Sequence, residues 1–322
     1  MSRVVVTDYT FDSLDVERGI LEPLGCEIIA SKKIPPHEEL ARLVADADHV
    51  ITQFAPVKAA VIATMRRARV IVRYGVGVDN VDLDAARARG IPVCNVPDYC
   101  TDEVADHTLA LLLATTRQVV VNGNHVRSGA WGLAVPLATM KALRDQTVGV
   151  VGFGRIGREV VRRLHGFKCR VLVHDPVVPE GAVREAGCEP AGLDDLFGRS
   201  DVVTLHCPST AQTRHLLRGD TIARMKPGAI LINVARGDLV EPTALIDALK
   251  SGHVSAAALD VFDPEPIPAQ SPVRKMDNVI VSAHVASTSA RAVRELRRSV
   301  AAAVAASVRG EPLPNVVNGV MR

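Results

Sequence analysis

The chain has 322 residues, enough for about two domains of roughly 150 residues each. Hydrophobic residues make up 48% and aromatic residues only 3%, so Val, Ala and Leu must fill most of the core. The 38 Lys and Arg nearly balance the 36 Asp and Glu, so no strong positive field is expected to attract nucleic acid. We expect no signal peptide, because the opening apolar run reaches an acid, Asp8, too soon. We expect no membrane span, because no apolar run approaches the required length of roughly 18 residues. Six scattered cysteines without a C-x-x-C motif indicate free thiols, and we expect a cytoplasmic protein.

The first 98 residues alternate short apolar runs with helical patterns. The predicted strands are Val4–Thr7, Cys26–Ala30, His49–Thr52, Arg69–Tyr74 and Ile91–Cys94. The predicted helices are Asp12–Leu24, His37–Ala45, Lys58–Met65 and Leu83–Arg89. This alternation predicts a parallel sheet with helices on both faces. A glycine-containing loop, 75–80, directly follows one strand; it either lets the backbone approach a ligand closely or simply makes a tight turn, and spacing alone favours neither.

The next segment, Thr101–Arg127, reads as one long helix. Leu109–Leu113 is apolar on all sides, so this helix should be buried at a domain boundary or between subunits. His107 lies within it, and we expect that histidine to be structural.

A dinucleotide-binding pattern then occupies residues 147–175. A β-branched strand, Thr147–Val151, runs into Gly152-Phe153-Gly154-Arg155-Ile156-Gly157, and a helical pattern follows. In a G-x-G-x-x-G loop the first glycine makes a tight turn, the second lets the backbone approach a pyrophosphate, and the third lets helix and strand pack closely. A second strand, Arg170–His174, ends at Asp175, roughly 20 residues beyond the loop, as expected for an acid that binds a ribose. The whole pattern predicts dinucleotide binding rather than an ordinary glycine loop.

Alternation of strands and helices resumes after this unit. The predicted strands are Asp201–Leu205, Ala229–Val234, Ala256–Val261 and Val279–Ser282. The predicted helices are Thr221–Met225, Thr243–Lys250 and Ala290–Arg309. The last helix carries several arginines, which we interpret as a solvated outer face rather than a surface for membrane or nucleic acid. No metal-ligand cluster is found among the ten histidines.

Three polar residues stand just after predicted strands in this second half: Arg236, Glu265 and His284. Ligands of doubly wound sheets bind at the carboxyl ends of the strands, so the three side chains could converge on one crevice. Taken singly, each could equally be a surface ion-pair partner or a loop residue.

With these motifs the chain resembles the D-isomer-specific 2-hydroxyacid dehydrogenases, in particular the C-terminal-binding-protein and phosphoglycerate-dehydrogenase branches. The resemblance covers essentially the whole chain. The motifs that carry it are VVGFGRIG, NVARGDLVE (233–241), LDVFDPEP (259–266), SAHVAS (282–287), RYGVGVDNVD (73–82) and NVPDYCTDEVADH (95–107).

The resemblance implies catalytic roles for Arg236, Glu265 and His284, and NAD as the cofactor. It implies that the substrate is held by Val76, Gly77, Arg236 and His284, with Asp260 on the nicotinamide carboxamide. The remaining cofactor contacts that it implies are the whole glycine loop (152–157), Asp175, Cys207, Pro208, Thr213, Val234, Ala235 and Cys100.

It further implies two doubly wound α/β domains, each with a parallel sheet. These are a flavodoxin-like substrate domain, 1–98 plus 289–322, and a Rossmann NAD-binding domain, 99–288. A homodimer packed through residues 101–127 is also implied. The function expected is hydride transfer between NAD(H) and a D-2-hydroxyacid/2-oxoacid pair. The alternative is an NAD(H)-sensing, corepressor-like binding module with little turnover, since an intact Arg–Glu–His set does not exclude one.

Overall fold

The computed structural model describes residues 1–321, which form two compact units. One unit comprises residues 1–100 and 289–321, and the other comprises residues 101–288. Each unit is built on one sheet whose strands all run parallel. The predicted fold class is therefore confirmed.

The first unit has a five-stranded sheet. Its strands are β1 (Ser2–Val6), β2 (Cys26–Ala30), β3 (His49–Thr52), β4 (Val70–Arg73) and β5 (Val93–Cys94). Its helices are α1 (Asp15–Leu21), α2 (His37–Val44), α3 (Ala59–Thr64), α4 (Leu83–Ala88) and the C-terminal α12 (Ala290–Arg309). The strand order β2-β1-β3-β4-β5 is that of flavodoxin-like sheets.

The second unit has a seven-stranded sheet. Its strands are β6 (Thr147–Val151), β7 (Arg170–His174), β8 (Glu189–Pro190), β9 (Val202–Leu205), β10 (Ala229–Asn233), β11 (Val254–Leu259) and β12 (Val279–Val281). Its helices are α5 (Thr101–Thr116), α6 (Val119–Arg127), α7 (Arg155–Leu164), α8 (Glu180–Glu185), α9 (Leu193–Arg199), α10 (Gly219–Ile222) and α11 (Pro242–Ser251). The strand order is β12-β11-β10-β9-β6-β7-β8. The chain adds β7 and β8 on one side of β6 and then returns to add β9 to β12 on the other side, as in a Rossmann fold. Ligands of such sheets bind at this switch point between β6 and β9.

Valine, leucine and alanine fill both cores, as the low aromatic content requires. In the first unit Val5, Val50 and Ile71 are fully buried, and in the second Val203 and Leu231 are. These residues lie on central strands whose two faces are both covered by helices, which explains why the strands read as continuous apolar runs rather than alternating ones.

Every predicted strand is present, with ends displaced by no more than two residues. The prediction of one helix over Thr101–Arg127 is wrong, because α5 ends at Thr116 and α6 begins at Val119. Between them Gln118 takes a left-handed conformation with φ 53°. The hydroxyls of Thr115 and Thr116 donate to carbonyls one turn earlier, a bond that weakens continuous helix and favours a break.

Within residues 1–321, every helix is too short or too polar to pass through a lipid bilayer.

Candidate active site

The three glycines of the loop between β6 and α7 each meet a different steric requirement. Gly152 has φ +98°, and a Cβ there would lie 2.6 Å from the Cys207 nitrogen. A Cβ on Gly157 would lie 2.1 Å from the Gly152 carbonyl oxygen. Gly154 caps α7 and has open space around its missing side chain. Backbone amides at the N-terminus of α7 can therefore be approached closely by an anion, which fits the pyrophosphate of a dinucleotide.

The other loop residues support this arrangement. Phe153 is fully buried, with the Arg158 guanidinium 4.3 Å from its ring centroid. Arg155 is the first residue of α7 and is exposed, whereas Ile156 is half-buried. The loop is thus anchored by an aromatic ring on the inside and presents a cation at its outer edge.

Asp175 follows β7, as predicted, and is tied to the glycine loop. Its carboxylate accepts hydrogen bonds from the backbone N–H groups of Phe153 (2.7 Å), Val177 (2.8 Å) and Val178 (3.0 Å). Partial burial acts to raise the pKa of Asp175, but these three bonds outweigh it and the pKa is lowered. A carboxylate offers about four acceptor positions, so a ribose hydroxyl can still be accommodated.

The remaining predicted cofactor contacts lie on loops after strands. Cys207 and Pro208 follow β9, and the Thr213 hydroxyl donates to the Pro208 carbonyl at 2.6 Å. Val234 and Ala235 follow β10. Three further predicted site residues lie outside this unit. Cys100, a predicted cofactor contact, is buried at the end of the 1–100 segment, and Val76 and Gly77, predicted substrate contacts, lie in the loop after β4.

That β4 loop is held through its carbonyl groups. Asn95 donates a side-chain hydrogen bond to the Val76 carbonyl at 2.6 Å, and the Val96 amide donates to the Gly75 carbonyl at 3.0 Å. Gly75 has φ +145°, which an L side chain rarely adopts. The loop is therefore a defined turn, and its role in substrate binding stays a prediction.

Glu265 and His284 are brought together after neighbouring strands β11 and β12. His284 Nδ1 lies 2.8 Å from Glu265 Oε2, and the other carboxylate oxygen of Glu265 accepts the Phe262 amide at 2.8 Å. Burial opposes ionisation of Glu265, but the hydrogen bond and charge of His284, the Phe262 amide and the charge of Arg236 together lower its pKa. About a third of each side chain is exposed, so the pair lies where a small molecule can reach it.

Arg236 follows β10, which lies next to β11 in the sheet, so it comes from the same carboxyl-terminal edge as Glu265 and His284. Its Nη1 donates to the Ala235 carbonyl at 2.7 Å, and its own carbonyl accepts the Asn233 side chain at 2.8 Å. Arg236 is close enough to Glu265 for its charge to act on that carboxylate. The three residues singled out from their positions after strands are thus gathered at one edge of one sheet.

Two further side chains, those of His107 and Ser282, lie at this edge, although neither was assigned to the site from the sequence. His107 on α5 places Nε2 3.2 Å from the Ser282 hydroxyl, which donates to Asp260 at 2.6 Å. The Asp260 side chain is fully buried, and its contact with a nicotinamide carboxamide stays a prediction. Ser282 could have been found from its place two residues before His284. No local pattern shows that His107 reaches a loop far along the chain.

No group of three or more His, Cys, Asp or Glu side chains within residues 1–321 is arranged to hold a metal ion.

Comparison with known proteins identifies the family. A sequence profile described as "D-isomer specific 2-hydroxyacid dehydrogenase, NAD binding domain" matches residues 109–286, more than half of the chain. A glyoxylate reductase of Korarchaeum cryptofilum is 39% identical, covering 94% of this chain and 93% of that protein. A D-3-phosphoglycerate dehydrogenase of Mycobacterium leprae is also 39% identical, over 88% of this chain. The chain spans only 53% of that second relative's length.

Solved structures of related proteins have the same overall fold as this chain. The TT0316 protein of Thermus thermophilus superposes with a TM-score of 0.85 at 36% identity, covering 98% of this chain and 99% of that one. A D-lactate dehydrogenase of Aquifex aeolicus, solved with NAD and lactic acid, gives a TM-score of 0.85 at 27% identity and covers 96% of each chain.

Fold, site and relatives together define a class: the chain belongs to the D-isomer-specific 2-hydroxyacid dehydrogenase family. It is an NAD-dependent oxidoreductase that transfers hydride between NAD(H) and a 2-hydroxyacid/2-oxoacid pair.

Proposed function

We propose that Arg236, Glu265 and His284 carry out this reaction, and that the chain reduces a short 2-oxoacid. The observation that carries the proposal is the 2.8 Å contact between His284 Nδ1 and Glu265, with Arg236 close by at the same sheet edge. A histidine oriented by a carboxylate is the arrangement expected of a general acid and base that works near neutral pH.

Each residue has a task set by its chemistry. Because Glu265 engages Nδ1, Nε2 of His284 is the nitrogen that would give a proton to the substrate oxygen in reduction and take it back in oxidation. Arg236 would bind the carboxylate of the 2-oxoacid and polarise its carbonyl through its planar set of donors. Glu265 would orient the imidazole and stabilise its charged form. NAD(H), when bound, supplies or accepts the hydride.

The substrate is proposed from the relatives and from the family. Glyoxylate reductases match this chain over about nine-tenths of their own length, whereas the phosphoglycerate dehydrogenase matches over about half of its length. We therefore place glyoxylate first among the 2-oxoacids to be tested. The unit containing residues 1–98 and 289–322 is proposed as the substrate domain, with Val76 and Gly77 contributing backbone amides. Residues 99–288 are proposed as the NAD-binding domain.

The test is NADH oxidation with a panel comprising glyoxylate, pyruvate and a branched 2-oxoacid, together with 3-phosphoglycerate and NAD in the reverse direction. We expect turnover to be highest on a short 2-oxoacid and chiral analysis to show the D product where a stereocentre forms. Turnover of 3-phosphoglycerate alone would overturn the substrate proposal. Normal NADH binding without turnover of any compound would instead favour the cofactor-sensing binding module.

We also propose a homodimer that buries the apolar surface of α6 and the segment after it. In the isolated chain this surface exposes Val119, Val120, Val126, Trp131 and Leu137. Trp131 is 89% exposed and Leu137 79% exposed, which is unusual for large apolar side chains outside an interface. A second copy of the same chain is the partner that the family resemblance implies.

Trp131 is the only tryptophan, so its emission reports directly on this surface. We expect a dimer by analytical ultracentrifugation and emission from a buried indole that shifts to longer wavelength on dilution. Leu137→Glu should dissociate the dimer, whereas Ile34→Glu, at an exposed position in the other unit, should not. A monomeric wild-type protein would refute the proposal. A cytoplasmic location is also proposed, on the support that none of the six cysteines forms a disulfide.

A further inference from the structure

The loop that carries His284 is held by one buried acid, Asp260. The Asp260 carboxylate accepts the Ser282 hydroxyl at 2.6 Å and the backbone amides of Val285 at 3.0 Å and Ala286 at 2.9 Å. Its backbone carbonyl accepts the His284 amide at 2.7 Å. One residue therefore fixes four donors within five consecutive positions, and its side chain is wholly enclosed by protein.

This loop has a conformation that needs such support. His284 has φ 53°, in the left-handed region that residues with a side chain seldom occupy. A backbone in a sparsely populated region persists only when the surrounding contacts hold it there. The bonds from residues 282, 285 and 286 to Asp260 therefore help to hold the backbone from which the His284 imidazole projects toward Glu265.

The chain of hydrogen bonds continues to α5. A serine hydroxyl has one proton, and that of Ser282 is committed to Asp260. In its 3.2 Å contact with His107 Nε2, Ser282 must therefore be the acceptor, so Nε2 of His107 carries a proton and donates it. This fixes the role of His107 in the network without requiring the imidazole to be charged.

We propose that His107, through Ser282 and Asp260, is a positioning residue for His284. His107 does not touch the substrate in this proposal; it fixes the hydroxyl that shares the Asp260 carboxylate with the amides of the His284 loop. The proposal rests on the proposed proton transfer by His284, and it replaces the expectation that His107 is merely structural. The alternative is that the histidine only fills space beside a satisfied acid.

Substitutions at position 107 distinguish positioning of His284 from mere filling of space, because they can keep or remove the hydrogen-bond donor that faces Ser282. Gln places an amide N–H near the position of Nε2, whereas Leu has similar bulk without a donor. We expect kcat for 2-oxoacid reduction to fall about tenfold or more in His107→Leu, since small displacements of a catalytic group are costly. His107→Gln should stay within about threefold of wild type, as should the control His37→Gln at an exposed site in the other unit. The NADH dissociation constant should change less than about twofold in all three.

A second readout does not depend on activity. Hydrogen exchange of a peptide covering residues 282–288 should be faster in His107→Leu and in Ser282→Ala, and near wild type in His107→Gln. In the Ser282→Ala background, adding His107→Leu should cause little further loss of kcat, because the hydrogen bond through Ser282 is already broken and only the 3.7 Å approach of His107 Nε2 to Asp260 Oδ1 remains. If His107→Leu does not fold, Ser282→Ala, which removes only the hydroxyl, takes its place in both measurements.

Wild-type kcat and exchange in His107→Leu would overturn the proposal, as would equal losses in the Leu and Gln variants. His284→Asn, measured alongside, distinguishes this failure from failure of the proposed function. If His284→Asn keeps full activity, the catalytic assignment itself is wrong. If it is inactive while His107→Leu is normal, only the positioning role is refuted.

Discussion

Alanine at two glycines of the cofactor loop should weaken NADH binding in both cases but should lower stability at only one of them. At Gly154, φ is −74° and an added Cβ meets no atom within 4 Å, so the fold can accept a methyl group. At Gly157 the added Cβ would lie 2.1 Å from the Gly152 carbonyl oxygen and 3.1 Å from its carbon. Both of these neighbours are backbone atoms, so relief requires α7 to move away from the loop.

The magnitudes follow from these distances. Gly154→Ala should change the free energy of unfolding by no more than about 1 kcal/mol. Alanine is a poorer helix N-cap, which lowers stability, but it also makes the unfolded chain less flexible, which raises stability, and the two effects partly cancel. It should nevertheless weaken NADH binding about tenfold or more, because the methyl group occupies the space through which a pyrophosphate approaches α7. Gly157→Ala should cost about 1–3 kcal/mol of stability by overpacking, or about 2–4 °C in Tm for each kcal/mol, and should weaken NADH binding as well.

Urea unfolding and NADH fluorescence titration, run on both variants and wild type, measure the two effects separately. Wild-type NADH affinity in Gly154→Ala would show that the pyrophosphate does not lie at this loop. Wild-type stability in Gly157→Ala would show that the close packing of α7 on Gly152 is not a constraint on the fold.

The other predictions concern charge. Arg236→Lys should lower kcat/KM about 10²-fold while leaving NADH affinity nearly unchanged, because an ammonium keeps the charge but loses the two-point contact; wild-type kinetics would remove Arg236 from the site. Since the pKa of Glu265 is lowered, its charge persists through the neutral range. A negative charge beside a general acid keeps a proton available at higher pH, so in Glu265→Gln the pH at which reduction fades should move down. An unmoved or upward-shifted profile of kcat/KM against pH would contradict that pairing. Wild type should prefer NADH over NADPH by about 10²-fold, and Asp175→Ala should reduce the ratio at least about tenfold while also weakening NADH binding; an unchanged ratio would exclude Asp175 from cofactor selection.

Features that depend on short stretches of chain could be predicted from the sequence. The strands are recognisable because buried parallel strands are continuous runs of β-branched residues, as in β6 and β9. The glycine loop and Asp175 are recognisable because turn, approach and packing each require a particular residue at a fixed spacing. Arg236, Glu265 and His284 could be singled out because parallel strands align their carboxyl ends at one edge.

Features that depend on tertiary contacts were not predictable in this way. The helix break at Gln118 was missed because Leu109–Leu113 and Val119–Val121 continue the apolar pattern across it. Strand β8 has two residues and no periodicity to detect. The contact of His107 with Ser282 joins residues 175 positions apart, and only the packing of α5 against β10 and β11 brings them together.

The most direct test of the catalytic assignment is kcat/KM for the preferred 2-oxoacid in His284→Asn, measured together with the NADH dissociation constant. Asparagine keeps a polar side chain next to Glu265 but cannot exchange a proton near neutral pH. We expect kcat/KM to fall by about 10²–10⁴-fold, the contribution typical of a general acid, with NADH binding within about threefold of wild type. Retention of kcat/KM within a few-fold of wild type would contradict the assignment of proton transfer to His284.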